Sequence, residues 1–288
     1  MDVEREALEE KWGKPHPLHD PYILSHFSAK PSDVLITTAP KAGTTWMQQI
    51  LHQLRSGGDE RFHNIDDVVP WLERVREGVT WQQRLEYFEQ LPAPRLFKTH
   101  CTFEQTPGFG TAKVIMTSRD PRDCCVSFYH HMMNMTDNAL AYVGVTRPQS
   151  FAEFFETWMD FGAWYRNVKS WWPYHSHARV LWLRYEDMVQ DFENQLKTII
   201  AFLQWTLTDE QLVKVNEYCS FDWMKAHNEK FETLMDSGES FFKPKQFVRQ
   251  GKVGDHETLL TQEQEMRIVV RAREELSQEC LVFLNLPV

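Results

Sequence analysis

The segment VLITTAPKAGTTW, residues 34–46, decides the fold that this sequence predicts. Its first residues, Val34–Ile36, form an apolar run that is typical of a buried parallel strand. A helix pattern follows and ends at Gly57-Gly58, and its single apolar face is formed by Met47, Ile50, Leu51 and Leu54. The segment therefore predicts a strand, a tight turn and a helix in direct succession.

The same alternation of strands and helices continues along the chain. Further strands are predicted at Leu96-Phe97, Val114–Met116 and Val180–Leu183. Further helices are predicted after Pro121, across Phe151–Trp171, and after Asp187 to about Leu203. Alternating strands and helices indicate an α/β fold, in which one domain of residues 1–288 has a central parallel sheet flanked by helices.

Two segments lack this alternation. Residues 1–32 are rich in Pro and His and predict an irregular N-terminal arm. Residues 228–258 mix charged, small and aromatic residues without a clear period. Because a long irregular segment in a compact domain is usually a functional loop, we expect a lid over the cofactor and substrate site, with a plain surface loop as the alternative.

Composition and charge exclude several classes of protein. The chain has 288 residues and a formal net charge of −10, and no run of Lys and Arg suggests the basic face of a nucleic-acid-binding protein. The charged N-terminus lacks the apolar core of a signal peptide, and no stretch of about 18 apolar residues could span a bilayer. Five cysteines without metal-ligand spacing predict reduced thiols and a cytoplasmic location.

The turn at residues 39–45 has the features of an anion-binding loop. Between a strand and a helix start, backbone N–H groups and the positive end of the helix dipole point at the same place. Gly43 lets the backbone come close to a ligand. Thr44 and Thr45 supply hydroxyl groups, and Lys41 adds a cation. The order of Lys and Gly differs from the GxxxxGK[ST] loop of P-loop nucleotide-binding enzymes.

The stretch PKAGTTW, residues 40–46, resembles the 5′-phosphosulfate loop of the cytosolic sulfotransferase family, usually written PKSGTTW. The resemblance extends from about Pro21 to the C-terminus and includes Pro70-Trp71-Leu72-Glu73. It implies a P-loop-like site for 3′-phosphoadenosine-5′-phosphosulfate (PAPS), which leaves the product PAP. In this loop Ala42 replaces the usual Ser. The resemblance implies that the loop contacts PAPS through Lys41, Ala42, Gly43, Thr44, Thr45 and Trp46.

A second anion site is predicted at Arg119. This residue follows a strand, where open α/β sheets bind ligands, and its guanidinium can hold a phosphate with two hydrogen bonds. Taken alone, the sequence Arg119–Asp123 is more often a solvated turn. The family resemblance implies that Arg119 and Ser127, which lies on the following helix, hold the 3′-phosphate.

The resemblance alone implies further nucleotide contacts. Arg249-Gln250-Gly251 is similar to the family's Arg-Lys-Gly, with Gln250 in place of a cation. Cys219 stands where a Thr is usual. The resemblance also implies nucleotide contacts from Tyr185, Phe247 and Val248. It implies that Trp46 and Phe221 enclose the adenine ring.

The sequence Lys98-Thr99-His100 ends a predicted strand and carries the candidate catalytic pair. A lone histidine is more often structural than catalytic, but the family uses this one as a general base, a task that suits a group titrating near neutral pH. The resemblance assigns Lys98 to the sulfuryl oxygens, and we expect Lys41 to meet the leaving oxygen. No metal is expected. The other histidines are interpreted as structural, although His130-His131 lies close enough to Ser127 in sequence to line the site.

Taken together, these patterns predict a PAPS-dependent sulfotransferase acting on a small apolar acceptor. Phe, Trp and Met in residues 71–88, 128–143 and 231–247 predict an apolar pocket, and phenols, sterols, other alcohols and arylamines remain open as acceptors. The alternatives are a P-loop small-molecule kinase and a non-catalytic regulator that binds PAP. The position of Lys41 before Gly43 disfavours the kinase, and the intact candidate catalytic residues disfavour the regulator.

Assembly is predicted from a departure near the C-terminus. Many members of the family dimerise through a stretch of the form Lys-x-x-x-Thr-Val-x-x-x-Glu. The aligned residues here are Glu257, Thr261, Gln262 and Met266, so only the Thr remains. Because a small interface depends on a few central contacts, we expect a monomer or a dimer through a different surface. Neither nucleic acid nor a membrane is expected as a partner.

Overall fold

The computed structural model describes residues 2–74 and 76–288. At the centre of this part of the chain lies a sheet of four parallel strands in the order β2-β1-β3-β4. The strands are β1 (Val34–Thr38), β2 (Leu96–Thr99), β3 (Lys113–Ser118) and β4 (Val180–Arg184). In the register of the sheet, Val34 lies opposite Leu96 on one side and Lys113 on the other. The predicted α/β fold with a central parallel sheet is confirmed.

Helices connect the strands and follow them. The α-helices of the described residues are α1 (Asp2–Trp12), α2 (Pro21–His26), α3 (Thr44–Ser56), α4 (Ile65–Val68), α5 (Trp81–Glu89), α6 (Pro121–Asn134), α7 (Asp137–Val143), α8 (Phe151–Phe161), α9 (Ala163–Trp171), α10 (Tyr185–Gln190), α11 (Phe192–Leu203), α12 (Asp209–Tyr218), α13 (Phe221–Ala226), α14 (Gln262–Glu275) and α15 (Gln278–Phe283). None of the helices in this part of the chain has both the length and the apolar character needed to cross a bilayer.

Both faces of the sheet are buried beneath helices. Leu35, Phe97 and Val114 belong to one apolar cluster, which also contains side chains of α8, α9 and α14. Ile36 and Leu96 belong to a second cluster, built with side chains of α3 and α11. Neighbouring residues of a strand point to opposite faces, so the two clusters are two separate layers of core. Each fully buried Leu or Ile contributes about 1.5–3 kcal/mol.

The strand–turn–helix unit predicted at residues 34–46 is present. All five residues of β1 are buried, and α3 begins directly after the turn. The helix ends as predicted, because Gly57 has φ of 69° and its backbone N–H bonds to the carbonyl of Gln53. That left-handed conformation favours glycine and closes the helix.

The prediction of an irregular arm at residues 1–32 is wrong. The segment contains α1 and α2. Asp20 caps α2 by accepting a hydrogen bond from the backbone N–H of Tyr22, and Pro21 occupies the first turn. Ile23 and Leu24 are fully buried. The helix is only six residues long, so its stability comes from this packing rather than from a repeating pattern.

Two helices predicted as continuous are each divided. Gly162 adopts φ of 56° and separates α8 from α9, and a Cβ at this position would lie 2.5 Å from the guanidinium of Arg271. The helix expected after Asp187 is instead α10 followed by α11, with Asp191 as the cap between them. The period of the apolar residues continues across each break, which is why the sequence predicted one helix.

Candidate active site

A cavity of about 1250 Å³ opens at the carboxyl ends of the parallel strands. This is the edge at which open α/β sheets bind ligands. The residues that line it include nearly all of the predicted site: Lys41, Gly43, Thr44, Thr45, Trp46, Lys98, His100, Arg119, Ser127, Tyr185, Cys219, Phe221, Phe247, Val248, Arg249, Gln250 and Gly251. Residues that are far apart in the sequence are thereby brought to one place.

The loop after β1 is shaped by left-handed backbone at two positions. Lys41 has φ of 70° and Gly43 has φ of 94°. A Cβ at Gly43 would lie 2.9 Å from a ring carbon of Tyr185, so only glycine fits here. Ala42 is the predicted site residue that does not line the cavity, since it is fully buried within the apolar cluster. The Ala that replaces the usual Ser therefore adds a methyl group to the core.

Lys41 lies among other cations. Its Nζ is 3.0 Å from Nδ1 of His131 on α6, and it lies 5.6 Å from the centre of the Phe247 ring. Burial, together with the nearby guanidinium groups of Arg119 and Arg249, lowers the pKa of Lys41 to about 7. An anion bound here would favour the charged form of this side chain.

His100 is held at the end of β2 by two hydrogen bonds. Its Nδ1 is 2.9 Å from the carbonyl oxygen of Thr38, and its backbone N–H donates to Oε1 of Glu73 at 2.9 Å. A carbonyl only accepts, so the ring proton lies on Nδ1 and Nε2 keeps a lone pair. Burial lowers the pKa of His100 despite the nearby Glu73. A neutral imidazole with a free Nε2 can accept a proton from a bound hydroxyl group.

Lys98 is buried in a well-defined position on β2. Its Nζ lies 3.5 Å from Oδ1 of Asp66 and 4.7 Å from the centre of the Trp71 ring. Burial favours the neutral form of Asp66, but Lys98 and Arg74 outweigh it and lower the pKa of this carboxyl group. Lys98 therefore has a charged partner that holds it in place.

Arg119 has a buried donor without a partner. Its guanidinium lies 4.7 Å from the centre of the Tyr185 ring, donates to the carbonyl of Lys252 at 2.7 Å and pairs with Asp123 at 3.3 Å. Its Nε is buried and has no hydrogen-bond partner within the described residues. An unsatisfied buried donor is costly, so this atom is suited to an anionic ligand. Ser127, on the helix α6 that follows Arg119, lines the same cavity.

Aromatic rings form another wall. The indole N–H of Trp46 donates to the carbonyl of Cys219 at 2.8 Å, and Phe192 stacks on the Trp46 ring with centres 5.4 Å apart. A Cβ at Gly251 would lie 2.7 Å from the ring of Phe221, so the chain at Gly251 lies directly against this ring. Burial raises the pKa of the Cys219 thiol, which remains protonated. Phe192 was not predicted from the sequence.

The end of the segment 228–258 is anchored to α6. Oδ2 of Asp123 accepts a hydrogen bond from the backbone N–H of Gly254 at 2.9 Å, and Oδ1 accepts one from the backbone N–H of His256 at 3.0 Å. Arg249 forms an ion pair with Asp255. These contacts hold Arg249 and its neighbours beside Arg119, which donates to the carbonyl of Lys252.

Glu73, His131 and Lys252 have contacts at the cavity that were not predicted. Glu73 holds the backbone of His100, His131 contacts Lys41, and Lys252 lines the cavity beside Gly251. The available signal was the resemblance to the family, since Glu73 ends one resembling stretch and Lys252 directly follows another. The closeness of His131 to Ser127 in sequence indicated that it could line the site, but not its contact with Lys41, a residue ninety positions away.

One group of side chains has the composition of a metal site. The donor atoms of His19, Glu73 and Cys101 lie within 4.8 Å of one another. However, His19 Nε2 already contacts the carbonyl of Trp12 at 2.6 Å, and Glu73 already bonds to His100. Burial and Glu73 raise the pKa of the Cys101 thiol well above its usual range. A protonated thiol is a poor ligand, so we assign no metal to this group.

The rest of the cavity wall is largely apolar. Part of it comes from the predicted stretches 128–143 and 231–247, including Phe128, Met132 and Phe242. From residues 71–88, only Trp71 and Glu73 line the cavity within the described part of the chain. Helix α8 adds a set of side chains that was not predicted, formed by Phe154, Trp158 and Phe161. An apolar wall of this kind suits a small apolar ligand.

Comparison with known proteins identifies the family. The sulfotransferase domain model matches residues 31–278. The chain is 32% identical to rat sulfotransferase 1 family member D1 over 267 residues, which covers 88% of this chain and 84% of the relative. It is 31% identical to human sulfotransferase 1E1 over 239 residues, covering 80% and 78% of the two chains. These matches give no support to the kinase or regulator alternatives.

Solved structures share the fold. Mouse sulfotransferase SULT7A1 complexed with PAP superposes with a TM-score of 0.70 at 22% identity, covering 91% of this chain and 90% of that one. Retinol dehydratase in complex with androsterone and inactive cofactor PAP has a TM-score of 0.70 at 20% identity, covering 100% and 96%. The chain therefore belongs to the sulfotransferase family, enzymes that carry out PAPS-dependent transfer of a sulfuryl group to small acceptors and need no metal.

Proposed function

We propose that this sulfotransferase uses His100 as its general base and moves the sulfuryl group of PAPS onto the hydroxyl group of a small, largely apolar acceptor. The observation that carries the proposal is the shared cavity, which Lys41, Lys98 and His100 line together with two anion-binding stretches and an apolar wall. An in-line transfer needs a base, cations and a water-poor pocket in one place.

The residues present fit the nucleotide PAPS. Arg119 offers a buried Nε without a partner in the described structure, and Ser127 lines the same cavity; we assign both to the 3′-phosphate. Phe192 covers one face of Trp46, so the other face can stack on adenine opposite Phe221. The backbone amides of residues 41–45 would hold the 5′-phosphosulfate. PAP is bound in the mouse sulfotransferase and in retinol dehydratase, which share the fold.

The reaction then follows from the charges at the site. Nε2 of His100 accepts the proton of the acceptor hydroxyl group while the acceptor oxygen forms its bond to sulfur. In the same step the bond from sulfur to the phosphate oxygen breaks, and its electron pair leaves with PAP. The Lys41 ammonium neutralises the charge that develops on this oxygen, and Lys98 stabilises the sulfuryl oxygens.

The acceptor is expected to be a small apolar molecule. The wall formed by α6, α8 and residues 241–247 offers mainly aromatic and methionine side chains. Phenols, sterols and other alcohols fit this chemistry, and arylamines remain a further class. Androsterone and retinol are found with retinol dehydratase, which shares the fold. The protein is proposed to act in the cytoplasm, as a monomer or a dimer through a surface that is not usual in the family.

The proposal is tested with labelled PAPS and a panel containing a phenol, a sterol, an aliphatic alcohol and an arylamine. Transfer of label to at least one acceptor in the presence of EDTA is the expected result, and His100→Ala serves as the inactive control. Activity that requires ATP and Mg²⁺ would instead support a kinase. Binding of PAP without transfer to any acceptor would support a regulator.

A further inference from the structure

His131 contacts the cation that the proposed mechanism places at the leaving oxygen. It lies on α6, one helical turn after Ser127, and its Nδ1 is 3.0 Å from Nζ of Lys41. An ammonium group has only donors. When Lys41 is charged, Nδ1 of His131 is therefore the acceptor, and the ring proton of His131 lies on Nε2.

The surroundings of His131 keep its ring neutral. The ring centres of Phe242, Phe128 and Phe247 lie 4.6, 5.9 and 6.2 Å from that of His131. Burial in this apolar setting, together with Lys41 and the other nearby bases Lys98 and His100, lowers the pKa of His131 well below its usual range. His131 is thus a hydrogen-bond acceptor that carries no charge of its own.

The other cations near Lys41 are partnered differently. Within the described structure, Lys98 pairs with Asp66, Arg119 pairs with Asp123 and Arg249 pairs with Asp255. Each of these three cations has a carboxylate beside it, whereas the ammonium group of Lys41 forms its hydrogen bond with the neutral ring of His131. A neutral acceptor can hold an ammonium group without cancelling its charge. The full charge of Lys41 thereby stays available to an anion.

We propose that His131 is a positioning residue for Lys41: its Nδ1 holds the ammonium group in the cavity, favours the protonated form and leaves its charge free to act on the leaving oxygen. The inference rests on the proposed function, because it takes Lys41 as the cation that meets that oxygen. It corrects the interpretation of His131 as a structural histidine. Three cations that face Lys41 oppose its protonation and lower its pKa: Arg119 after β3, Arg249 in segment 228–258 and Lys98 on β2. Cys124 on α6 has the opposite effect and raises the pKa of Lys41.

Two substitutions separate the acceptor atom from the shape of the ring. His131→Phe keeps an aromatic ring among the neighbouring rings but removes Nδ1. His131→Asn removes the ring but keeps an acceptor oxygen near the position of Nδ1. His130→Asn on the same helix is the matched control, since the ring contact of His130 is with Tyr129.

We expect His131→Phe to lower kcat by about tenfold to a hundredfold, the value of a hydrogen bond to a charged group, with little change in the acceptor KM. Loss of the acceptor also lowers the pKa of Lys41 further, so the alkaline limb of the kcat/KM profile moves to lower pH. His131→Asn should restore both properties to within a few-fold of the wild type, and His130→Asn should leave both unchanged. Calorimetric titration with PAP across the same pH range should show the same shift.

Wild-type kcat and an unmoved alkaline limb in His131→Phe would overturn the inference. It would also be overturned if His131→Asn restored neither kcat nor the alkaline limb relative to His131→Phe. If His131→Phe does not fold, His131→Leu takes its place in the comparison with Asn. A wild-type enzyme that transfers no sulfuryl group would contradict the proposed function instead. In that case the PAP titrations still decide the inference, because they measure the protonation of Lys41 without turnover.

Discussion

The imidazole Nδ1 of His100 donates a hydrogen bond of 2.9 Å to the carbonyl of Thr38, and this contact joins the end of β2 to the end of β1. The same bond fixes the tautomer of the ring and leaves Nε2 as the free acceptor. His100 therefore reaches the cavity as a base whose orientation is set by the backbone of the central sheet.

Removing this base should abolish most of the turnover and spare the nucleotide site. We expect His100→Ala to lower kcat by about 10²–10⁴, with PAP affinity unchanged within a few-fold by calorimetry. In the wild type, activity should fall at acid pH only as His100 becomes protonated. Because the pKa of His100 is lowered, the acid limb of the pH profile should lie below 6.5, the usual pKa of a histidine. Near-normal turnover in the Ala variant would refute the catalytic assignment.

Lys41 should take up a proton when PAP binds. With a pKa of about 7, its side chain is about nine-tenths neutral at about pH 8. Phosphate groups beside it favour the charged form and raise this pKa, so binding at that pH should consume close to one proton. Calorimetry in two buffers with different ionisation enthalpies measures this uptake. Lys41→Met should remove most of the uptake; if it persists in this variant, another group is titrating.

Arg119 should make binding selective for the 3′-phosphate. A ligand that binds only the native state raises its thermal stability, so PAP should raise the Tm far more than AMP. In Arg119→Ala we expect PAP affinity to fall by about tenfold to a hundredfold and AMP affinity to change little. Arg122→Ala is the matched control, since Arg122 pairs with Asp120 on the neighbouring turn. Equal thermal shifts for both nucleotides in the wild type would contradict the site.

Asp123 should control the end of the predicted lid. Its carboxylate accepts backbone hydrogen bonds from Gly254 and His256 and also pairs with Arg119. Breaking such a buried set costs about 3–5 kcal/mol, so Asp123→Ala should raise hydrogen exchange in residues 249–258 and weaken PAP binding. In the wild type, PAP should increase protection across residues 228–258. If hydrogen exchange in residues 228–258 responds neither to Asp123→Ala nor to PAP, this segment is not a lid.

Thr261 should act on stability rather than on assembly. Its side chain caps α14 by accepting a hydrogen bond from the backbone N–H of Gln264, whose side chain bonds back to the Thr261 backbone. This cap accounts for the one residue that remains from the family's dimer motif. We expect Thr261→Ala to cost about 1 kcal/mol and to leave the mass in light scattering at micromolar concentration unchanged, as for a monomer. A dimer that the substitution dissolves would show that the usual interface persists.

The sequence alone could predict the fold class and many of the residues that line the cavity. The signals around Lys41, Lys98 and Arg119 are local, because each of these residues lies at or just after the end of an apolar strand. Parallel strands bring their carboxyl ends to one edge of the sheet, so the positions of these residues after the strands implied that they meet. The resemblance to the family then supplied roles for them.

Only the tertiary structure decided the strand order, the breaks at Gly162 and Asp191, the burial of the Ala42 methyl group and the contact between Lys41 and His131. Each depends on residues that are distant in the chain and close in space. The pattern of apolar residues along a helix or a strand reports which face is buried, but not which side chain lies across from it. The role of His131 could not be recognised for this reason: a half-buried histidine on an aromatic helix face is ordinary until the lysine opposite its Nδ1 is known.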